Sequence, residues 1–464
     1  MKNEFITGPS RHWLELSLAQ QAIWLEAKLS NGSLYQLGGW ARIPADLDEA
    51  AVRQAASLVI ARHDALRLRV DDEQPRQWLD TSVDPPIAVL ELHAGADPDA
   101  AFKVHLERAF ASPLQWSNHP LFRIELIRGG ANLCYLLWRF HHLIADSIST
   151  SITMRHWAEA YLALTSDTPP ELAPPSSYLP VIASDKAYLK SPDYKQDLSY
   201  WVSRFDPLPP PLNLHRNLQV DDQQKVSIAD WSLDDETFLC LQQTAHDNGV
   251  IVQRAVFAIF AMTLARRYGQ SDVVSGIALH RRDLSNRYAL GMLSGIMAVR
   301  FNFDPSWSLV QGVAKFSAQV DADLRHQRLP VDNLSRSLGL FRTGRARLFE
   351  VVMSYLQPEN QLGESPIEGL PIITGTVASR EASPISFHVT ELSTDGLAIR
   401  LCINTDFLNV SEATSLLSLF QFALAELVAR PDTRIQALPS LTPQERTIVV
   451  GKTSSKKYIE EWTI

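Results

Sequence analysis

Cysteine is scarce in this sequence: Cys134, Cys240 and Cys402 are the only three in 464 residues. They are far apart and odd in number, and no C-x-x-C occurs, so neither a zinc site nor a secreted disulfide framework is indicated. Free thiols of this kind suit a reducing cytosol. Long apolar runs are also missing. The longest, Ala255–Ala265, covers eleven residues, is broken only by Thr263 and is flanked by Arg254 and Arg266. A bilayer needs about 20 residues, so this run predicts a buried core helix. The opening MKNEFITGPSRHW has no apolar core and does not read as a signal peptide. A cytoplasmic protein with no membrane insertion is expected. Positive charge is in deficit, with Lys+Arg 43 against Asp+Glu 52 and a net charge of −9. Nucleic acid requires a basic face that replaces counterions, so no nucleic-acid partner is expected. No G-x-S-x-G elbow or H-E-x-x-H is present, which speaks against a covalent acyl-enzyme and against a metal site.

The composition that is present, 45% apolar and 20% charged, is that of a globular protein. At about 100–200 residues per domain the length suggests two to four domains. Residues 18–29 carry apolar positions at helical spacing after Ser17, a plausible N-cap. YQLGGWARI from Tyr35 alternates as a strand, with Gly38–Gly39 expected to mark a bulge. A long amphipathic helix follows to His63, then the strands ALRLRV and IAVLEL. Phe122–Ile127 and Leu133–Phe140 read as a hairpin around Gly129–Gly130, and Ser149–Leu164 as a helix. The proline-rich stretch Ser166–Pro180 is the best domain boundary, and a second half of helices and strands runs to Arg430. Two α+β halves of similar size suggest a two-lobed molecule.

The chemistry-bearing string is His141-His142-Leu-Ile-Ala-Asp146-Ser147, where a strand ends and a helix begins. Adjacent side chains on extended backbone point to opposite sides, so one histidine can face a cavity while the other packs inward. A neutral imidazole there can accept a proton near neutrality. From the bare string, a satisfied core pair with a capping aspartate is an equal alternative.

Seven ordered segments resemble a nonribosomal peptide synthetase condensation domain. Ser17, Ala19, Gln20 and Trp24 match S-x-A-Q-x-x-x-W, and Arg62-His63-Asp64-Ala65-Leu66-Arg67 matches R-H-E-x-L-R with Asp for Glu. His141–Ser147 matches H-H-x-x-x-D-G with Ser for Gly. Tyr188 to Trp201 lies at a weaker Y-to-W segment, and Gly291–Arg300 matches G-x-F-x-N-T loosely. His326-Gln327 with Pro330 matches H-Q-x-x-P, and Arg345–Met353 matches R-x-x-L-F-x-V. The resemblance implies an α+β fold of two chloramphenicol-acetyltransferase-like lobes, a V-shaped pseudo-dimer with a central tunnel. The lobes are expected at 1–175, carrying the His motif, and at 176–440, with 441–464 as a linker towards an adenylation domain. Tyr35-Gln-Leu-Gly-Gly-Trp40, Leu279-His-Arg281-Arg282 and Gly291–Arg300 are similar to the starter, lipoinitiating subtype. With Met1 close to the first segment, no upstream carrier is expected.

That subtype implies an N-acyltransferase joining a fatty acyl group, from acyl-CoA, to the amine of a carrier-bound aminoacyl thioester. The implied partners are the acyl-CoA donor, a downstream peptidyl carrier protein and an adjacent adenylation domain in cis. No cofactor is bound by the domain itself; substrates arrive on coenzyme A and on carrier phosphopantetheine. The alternatives are an elongation condensation domain and a free-standing acyltransferase making esters. The resemblance makes His142 the catalytic residue, as general base or as positioner of the amine. His141 and Asp146 are expected to be structural. Asp146 is expected to pair with an arginine, Arg281 in preference to Arg62. Ser147, in place of glycine, is expected to cap the following helix. Tyr35, Gly295, Arg342, Arg345 and Arg347 are candidate substrate or carrier contacts.

Overall fold

The structure, a computed structural model, describes residues 12–447 apart from 30–34, 45–47, 82–86, 93–96, 131–132, 167–175, 215–225, 358–372, 379–382 and 393–395. In chain order its elements begin with β1 (Trp13–Glu15), α1 (Leu18–Leu29), β2 (Gln36–Pro44), α2 (Glu49–Arg62), β3 (Leu68–Val70), β4 (Arg76–Leu79), β5 (Ile87–Glu91) and α3 (Pro98–Ala111). There follow β6 (Phe122–Arg128), β7 (Leu133–His141), α4 (Ser147–Thr165), α5 (Leu179–Tyr188), α6 (Pro192–Arg204), β8 (Val226–Leu233), α7 (Asp235–Asp247) and α8 (Val252–Tyr268). The last are β9 (Asp272–Leu279), β10 (Gly295–Asn302), α9 (Leu309–Leu324), α10 (Val331–Ser337), β11 (Val351–Leu356), β12 (Ile373–Ala378), β13 (Ile385–Leu392), β14 (Gly396–Asn404) and α11 (Val410–Ala429).

The fold is α+β and divides into two compact units. The first comprises the chain to Pro192 with His280–Gly295 and Glu359–Arg380; the second holds Asp193–Leu279, Ile296–Pro358 and the chain from Glu381. The expected boundary at 175 therefore falls inside the first unit. The reason is Tyr178, which is fully buried. Its backbone N–H donates to Asp64 at 2.9 Å, its hydroxyl donates to the Met292 carbonyl at 2.8 Å, and that hydroxyl lies 2.8 Å from Ser17 Oγ. These bonds tie α5 to the first unit after the proline-rich stretch.

In the first unit a five-stranded sheet runs β12-β2-β7-β6-β5, antiparallel except for the parallel β5–β6 pair. One face buries Leu136, Trp138 and Phe140 with Val52, Ala55 and Val59 of α2 and Met154, Trp157 and Ala158 of α4. The other buries Tyr135 and Leu137 with Phe102 and Phe110 of α3. Such two-sided burial explains why β7 reads as a nearly continuous apolar run. The ladder passes Gly38 and Gly39 in unbroken register with Arg139 and Trp138, so no bulge forms there. Close approach is what demands glycine at 38, since a Cβ would lie 2.6 Å from the Trp138 carbonyl and 2.8 Å from the Phe110 ring. ALRLRV also departs from expectation: Asp64–Arg67 is a 3₁₀ turn and only Leu68–Val70 is strand. Asp64 is drawn there by its bonds to Ser177 and the Tyr178 N–H.

The second unit holds a six-stranded sheet, β10-β9-β11-β13-β14-β8. Its core helix is α8, whose Phe257, Ile259, Phe260 and Leu264 are buried as the apolar run predicts. Gly269 ends α8 in the left-handed region at φ 63°, which favours glycine. Ser308 and Gln311 form a reciprocal capping box at the start of α9. By length and composition α11 could span a bilayer; here its Leu416, Phe420, Leu424 and Leu427 pack into the core, as in a core helix of a globular unit. The linker expected from 441 is described only to Thr447. There Arg267 grips Glu445 with both terminal nitrogens, at 3.1 and 2.8 Å.

One buried feature makes stability depend on pH. His63, at the end of α2, and His156 of α4 stack with ring centroids 5.0 Å apart and share a hydrogen bond, Nε2 to Nδ1, of 2.8 Å. Burial, then the neighbouring ring and Arg62, hold His63 down to about 3; burial, then Arg62 and Arg155, hold His156 at about 4. Both are neutral when folded and take up protons near 6.5 when unfolded. Their contribution to stability is complete above about pH 6.5 and is lost as pH falls towards 4. Thermal melts should therefore drop over that window, and a His63→Leu/His156→Leu double variant should show a shallower drop; an unchanged slope would refute the assignment.

Candidate functional site

β7 ends at His141, and the turn His142–Asp146 leads into α4. The two histidines diverge as alternation requires. His141 is fully buried, and burial followed by the adjacent His142 holds it down to about 3. Its Nδ1 accepts the Leu143 N–H at 3.2 Å and its ring lies 6.0 Å from that of Trp116. It is a neutral packing residue.

His142 is half-buried. Its backbone N–H donates to the Tyr35 carbonyl at 2.8 Å, and the Tyr35 ring stands edge-on at 6.5 Å. Its Nδ1 lies 3.2 Å from the sulfur of Met292. A thioether can accept but cannot donate, so a hydrogen bond across this contact requires the ring proton on Nδ1. Tyr35, expected as a substrate contact, is thus brought to the catalytic candidate.

Asp146 organises the surroundings. It caps α4 by accepting the Ser149 N–H at 2.8 Å and the Ser149 hydroxyl at 2.7 Å. Arg282 donates to its two oxygens at 2.6 and 2.8 Å. Leu293 N–H, Ser294 N–H and the Ser294 hydroxyl donate to it at 3.3, 3.2 and 3.0 Å. Burial alone would raise this carboxyl, but the Arg282 charge and the hydrogen bonds prevail and hold it at about 2. The carboxylate therefore fixes residues 293–294, and with them Met292 against His142. Tyr178 supports the same loop from behind. Gly291 is required there because a Cβ would lie 2.2 Å from the Tyr178 ring.

Two expectations are corrected. Asp146 pairs with Arg282, not with Arg281 or Arg62. Arg281 has a left-handed backbone, φ 38°, and its guanidinium packs over Gly295, where a Cβ would lie 2.5 Å from Cζ. Reversing the chain at Arg281 leaves the next residue aimed at Asp146. Arg62 sits in the last turn of α2, where its charge acts on the two neutral histidines. Ser147 does not cap α4; that role falls to Asp146. Ser147 is the first helical residue and is not among the described non-glycine residues of positive φ, so replacing glycine there brings no backbone strain.

Gly295 is the floor beneath Arg281. Arg342, Arg345 and Arg347 lie in the second unit. The Arg345 guanidinium is engaged with the backbone, donating to Pro209 and Leu348 carbonyls at 2.6 and 3.1 Å, which marks it as structural. Arg342 and Arg347 are exposed. Among the described residues no His, Cys, Asp and Glu group could hold a metal. Sequence reasoning missed Tyr178 and Ser149 and passed over Arg282. The H-H-x-x-x-D string could point to a basic partner, but nothing local distinguishes adjacent arginines.

Residues 10–449 match the family described as Condensation domain. Isonitrile lipopeptide synthase of Streptomyces coeruleorubidus is 26% identical over 96% of this chain and 30% of its own length. Tyrocidine synthase 3 of Brevibacillus parabrevis is 26% identical over 76% of this chain and 5% of its own. The chain thus spans a minor part of these relatives. A solved variant of the starter condensation domain of rhizomide synthetase RzmA, in complex with C8-CoA, is 25% identical with a TM-score of 0.79, covering 93% of this chain and 98% of that one.

Breaking the buried pair from one side leaves an uncompensated charge, a loss of about 3–5 kcal/mol. Asp146→Ala and Arg282→Ala should each lower the melting temperature markedly, and Arg281→Ala much less. Equal effects of the two arginine variants would contradict the pairing.

Proposed function

The chain belongs to the condensation domain family, and from that premise we propose that it is a starter condensation domain that transfers a fatty acyl group from acyl-CoA to a carrier-bound aminoacyl thioester. The observation that carries the chemistry is the half-buried His142, held by Tyr35 and Met292 at the head of a helix capped by the Asp146–Arg282 pair. The donor class is supported by C8-CoA in the related starter domain and by a lipopeptide synthase among the relatives.

In the reaction the amine attacks the thioester carbonyl. The C–N bond forms, the C–S bond breaks and coenzyme A leaves as the thiol. His142 accepts the ammonium proton at Nε2, and the proton passes to the departing sulfur. An α-amino group has a pKa of roughly 7.7–8.0, so part of the amine is already free near neutrality. Orientation of that amine on the acyl carbon by the same imidazole then supplies much of the rate through effective molarity. Phosphopantetheine serves as the acceptor's arm, with no cofactor resident in the domain.

The expected V-shaped pseudo-dimer with a central tunnel belongs to this reading and rests on family membership. So do a downstream peptidyl carrier and an adjacent adenylation domain, to which the segment after Thr447 would lead. A cytoplasmic setting is supported by the free cysteines, of which Cys240 is exposed. Tyr35, Arg342 and Arg347 remain candidates for substrate or carrier contact.

Mixing the domain with octanoyl-CoA and an aminoacyl carrier, then weighing the carrier, tests the proposal. An octanoyl mass gain is expected, cut about 10²-fold or more in His142→Ala. Transfer from an aminoacyl carrier donor but not from acyl-CoA would point to an elongation domain instead, and near-normal transfer by His142→Ala would remove its catalytic role.

A further inference from the structure

The second unit carries a cleft of about 430 Å³ whose lining includes none of the residues assigned to the reaction above. That volume lies within the range of about 300–1,000 Å³ typical of small-ligand sites. One wall is the end of β10, with Arg300, Phe301 and Asn302; the other is the α9 face that carries Lys315, Ala318 and Gln319. Trp307, just before α9, and Arg204, at the end of α6, complete it.

Each part has a distinct chemical character. Trp307 is half-buried, and the Lys315 ammonium rests over its indole at 4.8 Å. An indole face that takes a cation in this way also takes a flat heteroaromatic ring. Lys315 is exposed and makes no ion pair or hydrogen bond among the described residues, so its flexible stem can carry the charge from the indole to an incoming anion. Asn302 brings a primary amide, which offers a donor and an acceptor on one plane, the pairing that reads the edge of a nucleobase; Gln319, whose Nε2 donates to Asp323 and Tyr200, adds its carbonyl oxygen as an acceptor.

The walls are held rigidly. Arg300 binds Asp272 with Nε at 3.0 Å and Nη2 at 2.7 Å, and donates through Nη1 to the Arg204 and Pro207 carbonyls at 3.0 and 2.8 Å. Arg204 donates back to the Arg300 carbonyl. The nearby acids are already engaged. Asp272 holds Arg300, while the fully buried Asp323 accepts the Tyr200 hydroxyl at 2.6 Å and the Gln319 amide at 2.8 Å. Arg204 Nε stands 3.7 Å from the same Asp323 carboxylate, so that acid is engaged from the cleft side as well. In a chain of net charge −9 the cleft is a local cationic exception. The small side chain of Ala318 leaves the space between the walls open.

We propose that this cleft binds a nucleoside phosphate, with the base on Trp307 and its edge read by Asn302 and Gln319, and the phosphate met by Lys315. The ligand is either a free mononucleotide or the adenosine end of coenzyme A, which share this chemistry. The inference stands apart from the acyl-transfer reading, because binding is measured with no acyl donor present.

Isothermal titration of the whole chain with AMP and with adenosine provides the test. AMP should bind about tenfold more tightly than adenosine, as expected for one good charge-assisted contact. Lys315→Glu should remove that difference. Ala318→Trp, an exposed helix position, should fill the cleft and abolish binding of both, with melting temperature and circular dichroism unchanged. Displacement of AMP by CoA but not by pantetheine would support the site and assign it to the coenzyme's nucleotide end; AMP binding that CoA does not disturb would support it as a site for a free nucleotide. No binding of AMP at millimolar concentration, or equal AMP affinity in the unaltered chain and Ala318→Trp, would overturn the proposal.

Discussion

The first unit depends on one carboxylate. Asp146 is removed from water, which by itself would favour its neutral form, yet it stays ionised because Arg282 and the Ser149, Leu293 and Ser294 donors converge on it. A buried charge tolerates such a site only when its oxygens are satisfied from several directions. Meeting that demand joins the head of α4, the turn after β9 and the loop before β10. Met292 and His142 are held together as a consequence. A neutral residue at 146 could still cap a helix, but it could not draw Arg282 into the same position.

The histidines show how one side chain acquires opposite roles from its surroundings. His63, His141 and His156 are buried where a proton would cost too much, and they act as shaped, neutral packing groups. His142 differs from His141 by a single residue, but the alternation of extended backbone turns it out of that environment. The Met292 thioether then lies 3.2 Å from its Nδ1. Tyr178 contributes in the same spirit: its ring requires glycine at 291, and its hydroxyl holds the Met292 carbonyl.

Much of the outline is legible in the sequence because the signals are local. The buried α8 follows from an apolar run ended by a glycine, the hairpin β6–β7 from alternation around Gly129–Gly130, and the candidate His142 from the resemblance that its H-H-x-x-x-D string carries. Glycines mislead where their reason is not local. Gly38 looks like a bulge, but it answers to Phe110 and the Trp138 carbonyl, which are remote in sequence. The proline-rich stretch looks like a boundary, yet Tyr178 binds back to Ser17, Asp64 and Met292 beyond it.

Pattern along the chain was enough to establish the α+β class, the family resemblance, the candidate His142 and the need for a basic partner to Asp146. These depend on periodicity, end signals and residue chemistry within short stretches. Which arginine answers Asp146 was settled by packing in three dimensions. Arg281 and Arg282 are chemically the same, and the choice rests on a left-handed turn at Arg281 and on the room that Gly295 leaves for its guanidinium. Packing also made Asp146 rather than Ser147 the cap of α4, made Arg345 a backbone clamp, and brought residues of α6, β10 and α9 around a basic, aromatic cleft. Each of these depends on contacts between residues far apart in the chain, which local pattern does not encode.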